Sequence, residues 1–324
     1  MKLGIIGCGL IGNKRAAAKR DLQIVSAADA FFEKAKALTD KFGGKPSDKW
    51  QNVIDSDADI VVIAVPHNQL AIIALEAAKA GKHILIEKPA ARRSDELLPL
   101  AKIVKEKNLK IKVGYNHRFH PSIQKAKEFI DNKVLGDLYF IRAFYGHGGR
   151  IGYEKEWRFQ KKISGGGELL DQGSHLIDLS QWFLGKFTKI QGNIQNYFWG
   201  GEVEDNAFML LNTNKNQTAF LHSAWTEWKN TFLFEITGKN AKIAINGLGG
   251  SYGTEQITLY KMLPQMGPPE TTTWSFPFHD NSWQLEMDEL INAIKENRQP
   301  IGGIDEAIET LKIIEQIYIT NGVL

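Results

Sequence analysis

Asp171 and His175 stand four residues apart in a stretch of helical periodicity, Glu168–Leu184, so a helix there would set both on one face. A carboxylate beside an imidazole orients the ring and raises its basicity, which is the equipment of acid–base chemistry. Asp178 and Trp182 continue the same stripe, and Asp178 reads as structural. Taken alone, such a pair is more readily an exposed i,i+4 pair. What sets it apart is the run Gly165-Gly166-Gly167 directly before it. Lys88 is a second candidate, between Glu87 and Pro89 at the end of a predicted strand. An ammonium group there would polarise a hydroxyl and lower its pKa; the alternative is a lysine that faces solvent. Pro89 admits a cis peptide bond.

A third constellation is Gly7-Cys8-Gly9-Leu10-Ile11-Gly12, a G-x-G-x-x-G sequence between a predicted strand and a predicted helix. The spacing has a physical reading: Gly7 for a tight turn, Gly9 for close approach of the backbone to a pyrophosphate, Gly12 for close packing of helix on strand. The helix N-terminus adds free N–H groups and a favourable dipole. Asp29 ends the next strand, where a carboxylate accepts bonds from ribose hydroxyls and repels a 2′-phosphate. Ala30, Phe31 and Phe32 follow it with no arginine among them, so NAD is expected over NADP.

The elements that must position these residues change character along the chain. Apolar runs at Leu3–Ile6, Ile24–Ala28, Ile60–Val65, His83–Ile86 and Ile111–Val113 read as buried strands. They alternate with helical patterns at Ile11–Lys19, Phe32–Lys41, Leu70–Ala80 and Asp95–Lys107. This rhythm predicts an α/β unit with a doubly wound parallel sheet, a Rossmann domain over residues 1–118. After it the pattern becomes helix Pro121–Asn132, strand Leu138–Phe144, the helix carrying Asp171 and His175, and then several strands from Ile190 to Tyr260. Helical patterns at Trp283–Asn297 and Ile304–Thr320 close the chain, and Leu263–Glu270, with its prolines, reads as an exposed loop. Residues 119–324 are therefore expected to form an α+β domain on a largely antiparallel sheet, serving substrate binding and oligomerisation.

Composition narrows the classes. A net charge of +3 over 324 residues, evenly spread, lacks the basic face of a nucleic-acid binder. The lone Cys8 rules out an internal disulfide framework and fits a reducing, cytoplasmic setting. Glycines break the apolar N-terminus, and no run is long enough to span a bilayer. The eight histidines show no H-x-x-x-H or Cys/His spacing. His117 and His120 are three apart but have no acidic partners near them in sequence, so no metal is expected.

Three further blocks carry a resemblance: Glu87-Lys88-Pro89; Gly114-Tyr115-Asn116-His117-Arg118-Phe119; and Trp157-Arg158 followed by Gly165 to Asp178. With the glycine fingerprint, in this order and at this spacing, they make the chain resemble the glucose-fructose oxidoreductase / inositol dehydrogenase family over nearly its whole length. The resemblance implies Lys88, Asp171 and His175 as the catalytic set, with the lysine between substrate hydroxyl and cofactor ribose and the aspartate and histidine as acid–base pair. It implies cofactor contacts at Gly7, Gly9, Leu10, Ile11, Gly12, Asp29, Pro66, Asn68, Glu87, Lys88, Asn116, Trp157 and Arg158. It implies substrate contacts at Lys88, His117, Arg118, Asp171 and His175. One stretch departs from the family: Val65-Pro66-His67-Asn68-Gln69-Leu70 stands where Thr-Pro-Asn and a later histidine are frequent.

The function so implied is NAD-dependent hydride transfer from a secondary alcohol of a sugar or nucleotide sugar. An inositol or other polyol, or the reverse reduction of a keto-sugar, is the alternative. Arg142, Arg150, Arg158, Lys161 and Lys162 read either as a receptor for a sugar diphosphate or as ordinary solvated charges. A non-catalytic NAD-binding regulator is the competing class, disfavoured because Lys88, Asp171 and His175 are all present. An open antiparallel face suggests a homo-oligomer, a dimer or tetramer.

Overall fold

Short Ile- and Val-rich runs, bounded by glycine, acid or lysine, are too brief for helices and form strands buried on both faces. The computed structural model describes residues 1–324. In chain order the elements are β1 (Lys2–Ile6), α1 (Leu10–Ala17), β2 (Gln23–Ala28), α2 (Phe32–Phe42), β3 (Lys45–Ser47), α3 (Gln51–Ile54), β4 (Ile60–Ile63), α4 (His67–Lys79), β5 (His83–Ile86), α5 (Leu98–Glu106) and β6 (Ile111–Val113). They continue with α6 (Pro121–Asp131), β7 (Leu138–Gly146), α7 (Lys161–Ser164), α8 (Glu168–Asp171), α9 (Gly173–Leu184), β8 (Phe187–Gln195), β9 (Asn206–Thr213), β10 (Thr218–Ala224), β11 (Thr231–Gly238) and β12 (Ala241–Asn246). The last are β13 (Glu255–Lys261), β14 (Glu270–Phe276), α10 (Ser282–Lys295) and α11 (Ile304–Thr320).

The chain divides into two compact units. The first holds Met1–Asn116, Lys162–Gly165 and Trp283–Lys312. Its six strands are all parallel in the order β3-β2-β1-β4-β5-β6. That order is doubly wound, with its switch point between β1 and β4, and ligands of such sheets bind beyond the carboxyl ends of the strands. Gly7, Asp29, Pro66, Lys88 and Asn116 all follow those ends.

The expected boundary at residue 118 missed part of this unit. Met287, Leu290 and Ile291 of α10 pack into one core with Leu3, Ile5, Ile24, Val62 and Leu85. A sheet buried on both faces needs a helix to cover each of them, and α10 supplies apolar surface from far along the chain.

Under that helix lies a buried ionic cluster. Arg15 of α1 donates from Nε to Glu87 Oε1 and from Nη1 to Glu286 Oε2, each at 2.6 Å. Lys112 of β6 sits 2.9 Å from Glu286 Oε1 and also donates to the Val113 carbonyl at 2.6 Å. The Trp283 ring lies 4.4 Å from the Arg15 guanidinium carbon, a cation–π contact. Two cations and two carboxylates balance, so each charge has a partner inside the unit.

The second unit holds His117–Lys161, Gly166–Ser282 and Ile313–Leu324. Its eight-stranded sheet runs β14-β13-β12-β11-β7-β10-β9-β8 and is antiparallel except for the β7/β10 pair. Helices α6, α8 and α9 pack on one face. Strict alternation along β9 and β11 sends Met209, Leu211, Phe232, Phe234 and Ile236 into that core. The other face is uncovered and carries Phe220, Leu210 and an ion ladder in which Glu235 meets both Arg142 and Lys242.

The expected exposed loop from Leu263 runs to Pro269, and β14, which was not expected, begins at Glu270 and pairs with β13 through Thr- and Ser-rich backbone. One expectation changes. The helix expected over Glu168–Leu184 is broken at Gln172, where His175 N–H bonds the Gln172 carbonyl at 3.0 Å, three residues back.

Removing Glu286 leaves Arg15 and Lys112 buried with one carboxylate between them. Glu286→Ala should destabilise the first unit by about 3–5 kcal/mol. Denaturant unfolding checks this, and a loss below about 1 kcal/mol would show that the cluster does not hold the unit.

Candidate functional site

In the first unit the glycine loop has the geometry its spacing implied. Gly7 has φ +92°, and a Cβ there would lie 2.1 Å from the Ala64 carbonyl oxygen. A Cβ on Gly12 would lie 1.9 Å from the Gly7 oxygen, while one on Gly9 would meet open space. Gly7 and Gly12 thus need the missing side chain for packing, and Gly9 leaves the approach to the helix start clear. Leu10 is exposed, and the first-turn N–H groups of α1 have no acceptor within the helix.

Asp29 closes this loop. Its Oδ2 accepts from Cys8 N–H at 2.8 Å and its Oδ1 from Phe31 N–H at 2.9 Å. Each carboxylate oxygen keeps further acceptor capacity for a ribose hydroxyl. The cation of this stretch is Lys34, with its ammonium 4.6 Å from the centre of the Phe31 ring. The residues therefore fit a dinucleotide: a clear helix start for its phosphates and a fixed carboxylate for a ribose.

Pro66 caps the start of α4, with His67 and Asn68 in its first turn. His67 is buried, and its Nδ1 lies 2.8 Å from the Ser164 carbonyl. The departure from the family pattern is thus a packing solution, in which a histidine ties α4 to residues 162–165.

At the end of β5, Glu87 and Lys88 part company. The Glu87 carboxylate is buried on Arg15; burial pushes it up from the usual carboxylate range, the Arg15 charge opposes that, and Glu286 adds to it. A Cβ on Gly114 would lie 2.8 Å from Glu87 Oε2, so the cluster also requires that glycine. The Glu87 side chain is thus engaged in the interior of the unit. Lys88, partly exposed, lies in a turn closed by Ala90 N–H on the Glu87 carbonyl at 2.9 Å, and the Lys88–Pro89 bond is cis. Asn116 opens a 3-10 turn after β6 and is buried.

In the second unit the histidine and the aspartate have different neighbours. The His175 ring stacks on His117 with centroids 3.7 Å apart and planes 18° from parallel. Tyr145 lies against both, at 5.2 Å from His117 and 6.4 Å from His175. The Tyr145 hydroxyl bonds that of Tyr252, which accepts from Gln172 Nε2 at 2.9 Å.

Asp171 has a cation beside it: Arg158 Nε is 3.4 Å from Oδ2, and Arg158 lies over the Trp157 ring at 4.8 Å. Burial works against the Arg158 charge, but Asp171, Tyr153 and Glu156 raise its pKa, so it stays a cation. Trp157 and Arg158, expected at the cofactor, form a stacked pair with Arg158 beside Asp171.

Arg118, expected at the substrate, lies in the interior. Its Nε and Nη2 grip Asp178 Oδ2 and Oδ1 at 2.8 and 2.7 Å, and the pair is almost fully buried. A bidentate carboxylate clamp of this kind fixes α9 to the segment that begins the unit. His120, which lacked acidic partners in sequence, gains them in space: Glu255 Oε2 at 3.0 Å and Asp280 Oδ1 at 3.9 Å. No group of three or more His, Cys, Asp and Glu side chains stands together in a metal-binding arrangement.

Sequence reasoning missed Arg15, Lys112 and Glu286, which support the glycine loop and Lys88. It also missed Tyr145, Gln172 and Tyr252 around the histidine pair. For Arg15, Lys112, Glu286 and Tyr145 the signal was present only as charged or hydroxylated residues at buried strand and helix positions.

Known proteins bear directly on these features. Residues 1–115 match the family model described as an oxidoreductase family with an NAD-binding Rossmann fold, and residues 123–244 match the GFO/IDH/MocA C-terminal domain. A levoglucosan dehydrogenase of Pseudarthrobacter phenanthrenivorans is 31% identical over 212 residues, 61% of this chain and 54% of that protein. The match therefore spans about half of that relative's length. The dTDP-3,4-didehydro-2,6-dideoxy-alpha-D-glucose 3-reductase of Actinomadura kijaniata is 26% identical over 76% of this chain and 74% of its own. A solved levoglucosan dehydrogenase in complex with NADH and levoglucosan superposes with a TM-score of 0.90 at 23% identity, covering 99% of this chain and 97% of that one. With both units matched to models of one family, the chain belongs to the GFO/IDH/MocA oxidoreductases, and its first unit is their NAD-binding Rossmann domain.

Proposed function

We propose that the protein is an NAD-dependent dehydrogenase that oxidises a secondary alcohol of a sugar-like substrate. The observation that carries this reading is the fixed cradle of Gly7, Gly9, Gly12 and Asp29 in a chain that also keeps Lys88, Asp171 and His175. Gly7, Gly9, Leu10, Ile11, Gly12 and Asp29 hold the dinucleotide, with Pro66, Asn68 and Asn116 beyond neighbouring strand ends. When bound, NAD supplies the hydride acceptor.

Lys88 donates to the reacting hydroxyl and lowers its pKa. His175 takes the hydroxyl proton on its ring nitrogen, and the stacked His117 excludes water from one face of that ring. Asp171 supplies negative charge for the imidazolium that forms, and Arg158 fixes the carboxylate. Arg118 acts through Asp178, as a positioning residue.

The basic groups near the substrate loop bear on substrate class. Arg142 pairs with Glu235, Arg150 with Glu156, Arg158 with Asp171, and Lys161 Nζ with the Val323 carbonyl. Four of the five are thus engaged within the unit, which favours an uncharged sugar over a sugar diphosphate. The names of the relatives point to both classes, and an inositol is the polyol alternative.

The buried free thiol of Cys8 suits a reducing, cytoplasmic setting. No helix is long and apolar enough to cross a membrane. The uncovered sheet face is the surface for a homo-oligomer, which sedimentation velocity tests; a monomer at all concentrations would remove that part of the reading.

Two sets of variants check the proposal. By calorimetry NAD should bind more tightly than NADP, and Asp29→Ser should narrow the gap by removing the charge that repels a 2′-phosphate. Equal affinities in the wild type would contradict this. Lys88→Ala and His175→Ala should each stay folded and lose about 100-fold or more in turnover, with a smaller change in KM. Wild-type turnover in folded His175→Ala would leave Lys88 as the proton acceptor.

A further inference from the structure

Two of the three glycines before Asp171 have a structural cause that extends the site to two further residues. Gly166 and Gly167 lead into α8, a single turn whose early N–H groups find no acceptor inside it. Glu204, from the loop before β9, supplies one. Its Oε1 accepts from Gly167 N–H at 3.0 Å and from Leu169 N–H at 3.1 Å. Its backbone carbonyl accepts from Glu168 N–H at 3.0 Å. Tyr318 of α11 donates its hydroxyl to the same Oε1 at 2.8 Å.

The pair presses so close that no side chain fits opposite it. A Cβ on Gly166 would lie 1.9 Å from Tyr318 Oη, and one on Gly167 would lie 1.9 Å from the Glu204 carbonyl oxygen. Both residues are buried, at 6% and 1% exposure. Burial pushes the Glu204 carboxyl up to about 7, and the bonds from Tyr318, Leu169 and Gly167 work against that rise. The other carboxylate acting on Tyr318 is Glu168 of α8.

The turn so held ends at Asp171, whose N–H bonds the Gly167 carbonyl at 2.9 Å. Gln172, next in the chain, offers its carbonyl to His175 N–H at 3.0 Å. A shift of the glycine turn would therefore pass through one hydrogen bond to Asp171 and through a second to His175.

We infer that Glu204 and Tyr318 are positioning residues for Asp171, fixing the one-turn helix that presents it. The inference rests on the reading of Asp171 as the charge that supports His175. They act on the backbone that carries Asp171, and Gly166 and Gly167 are the sequence trace of that contact.

A double-mutant cycle on the full chain tests this. Tyr318→Phe removes one hydroxyl and little volume. Its turnover should fall about 10-fold with the KM for the sugar nearly unchanged, and the Gly167 and Leu169 amides should exchange hydrogen faster at an unchanged melting temperature. In an Asp171→Asn background the same substitution should change turnover by less than about twofold, because the group it positions is already disabled. Should Tyr318→Phe fail to fold, Glu204→Gln carries the same cycle, since an uncharged amide oxygen holds the Gly167 and Leu169 N–H groups less strongly than a carboxylate does. An equal loss in both backgrounds, or no loss in either, overturns the inference. Wild-type turnover in Asp171→Asn instead removes the acid–base reading beneath it, so the two failures are told apart.

Discussion

The Arg15 guanidinium, bonded to Glu87 on one side and Glu286 on the other, is the contact on which the geometry of the first unit depends. Three carriers meet there. Arg15 lies one turn into α1, the helix opened by the glycine fingerprint. Glu87 directly precedes Lys88. Glu286 comes from α10, which also lays its apolar side over the sheet. Desolvating four charges costs several kcal/mol per ion, and their mutual attraction offsets that only in good geometry. The cluster meets the condition with 2.6 Å bonds and a Trp283 ring over the cation. The dinucleotide loop and the candidate catalytic lysine are therefore fixed by one set of charges, and Gly114 stays bare to admit it.

The second unit solves its positioning problem by the same means at another place. A carboxylate and a phenol press on the backbone at Gly166 and Gly167, and an arginine braces Asp171 from beyond them. Histidine and aspartate, read from sequence as one helical face, are split by the break at Gln172. They gain separate supports: His117 stacked on His175, and Arg158 beside Asp171.

Much of this was legible in the residues, for physical reasons. The fingerprint could be read because its constraints are largely local: a Cβ on Gly12 would strike the Gly7 oxygen five residues back, and Gly7 itself has a positive φ. The buried strands could be read because covering both faces leaves little room for polar residues. The helix break could not: the apolar period runs through Gln172 without interruption, and the break lies in the backbone bond from His175. Nor could the reach of α10, since Arg15 and Glu286 are 271 residues apart and nothing local links them. Strand β14 was hidden because its Thr and Ser side chains are largely exposed on both faces, so no alternation marks it. Nor could the Arg118 clamp be read, since its partner Asp178 lies 60 residues along the chain.

The account stands or falls on hydride transfer from carbon to nicotinamide. The most direct measurement incubates the protein with NAD and pyranosides or inositols carrying deuterium on the ring carbons, and follows the reduced cofactor by absorbance and mass. The account predicts NADH carrying one deuterium for each ketone formed, with the label coming from a single ring carbon. Binding of NAD and sugar with no reduced cofactor from any pyranoside or inositol would contradict it and leave a protein that holds the dinucleotide without using it.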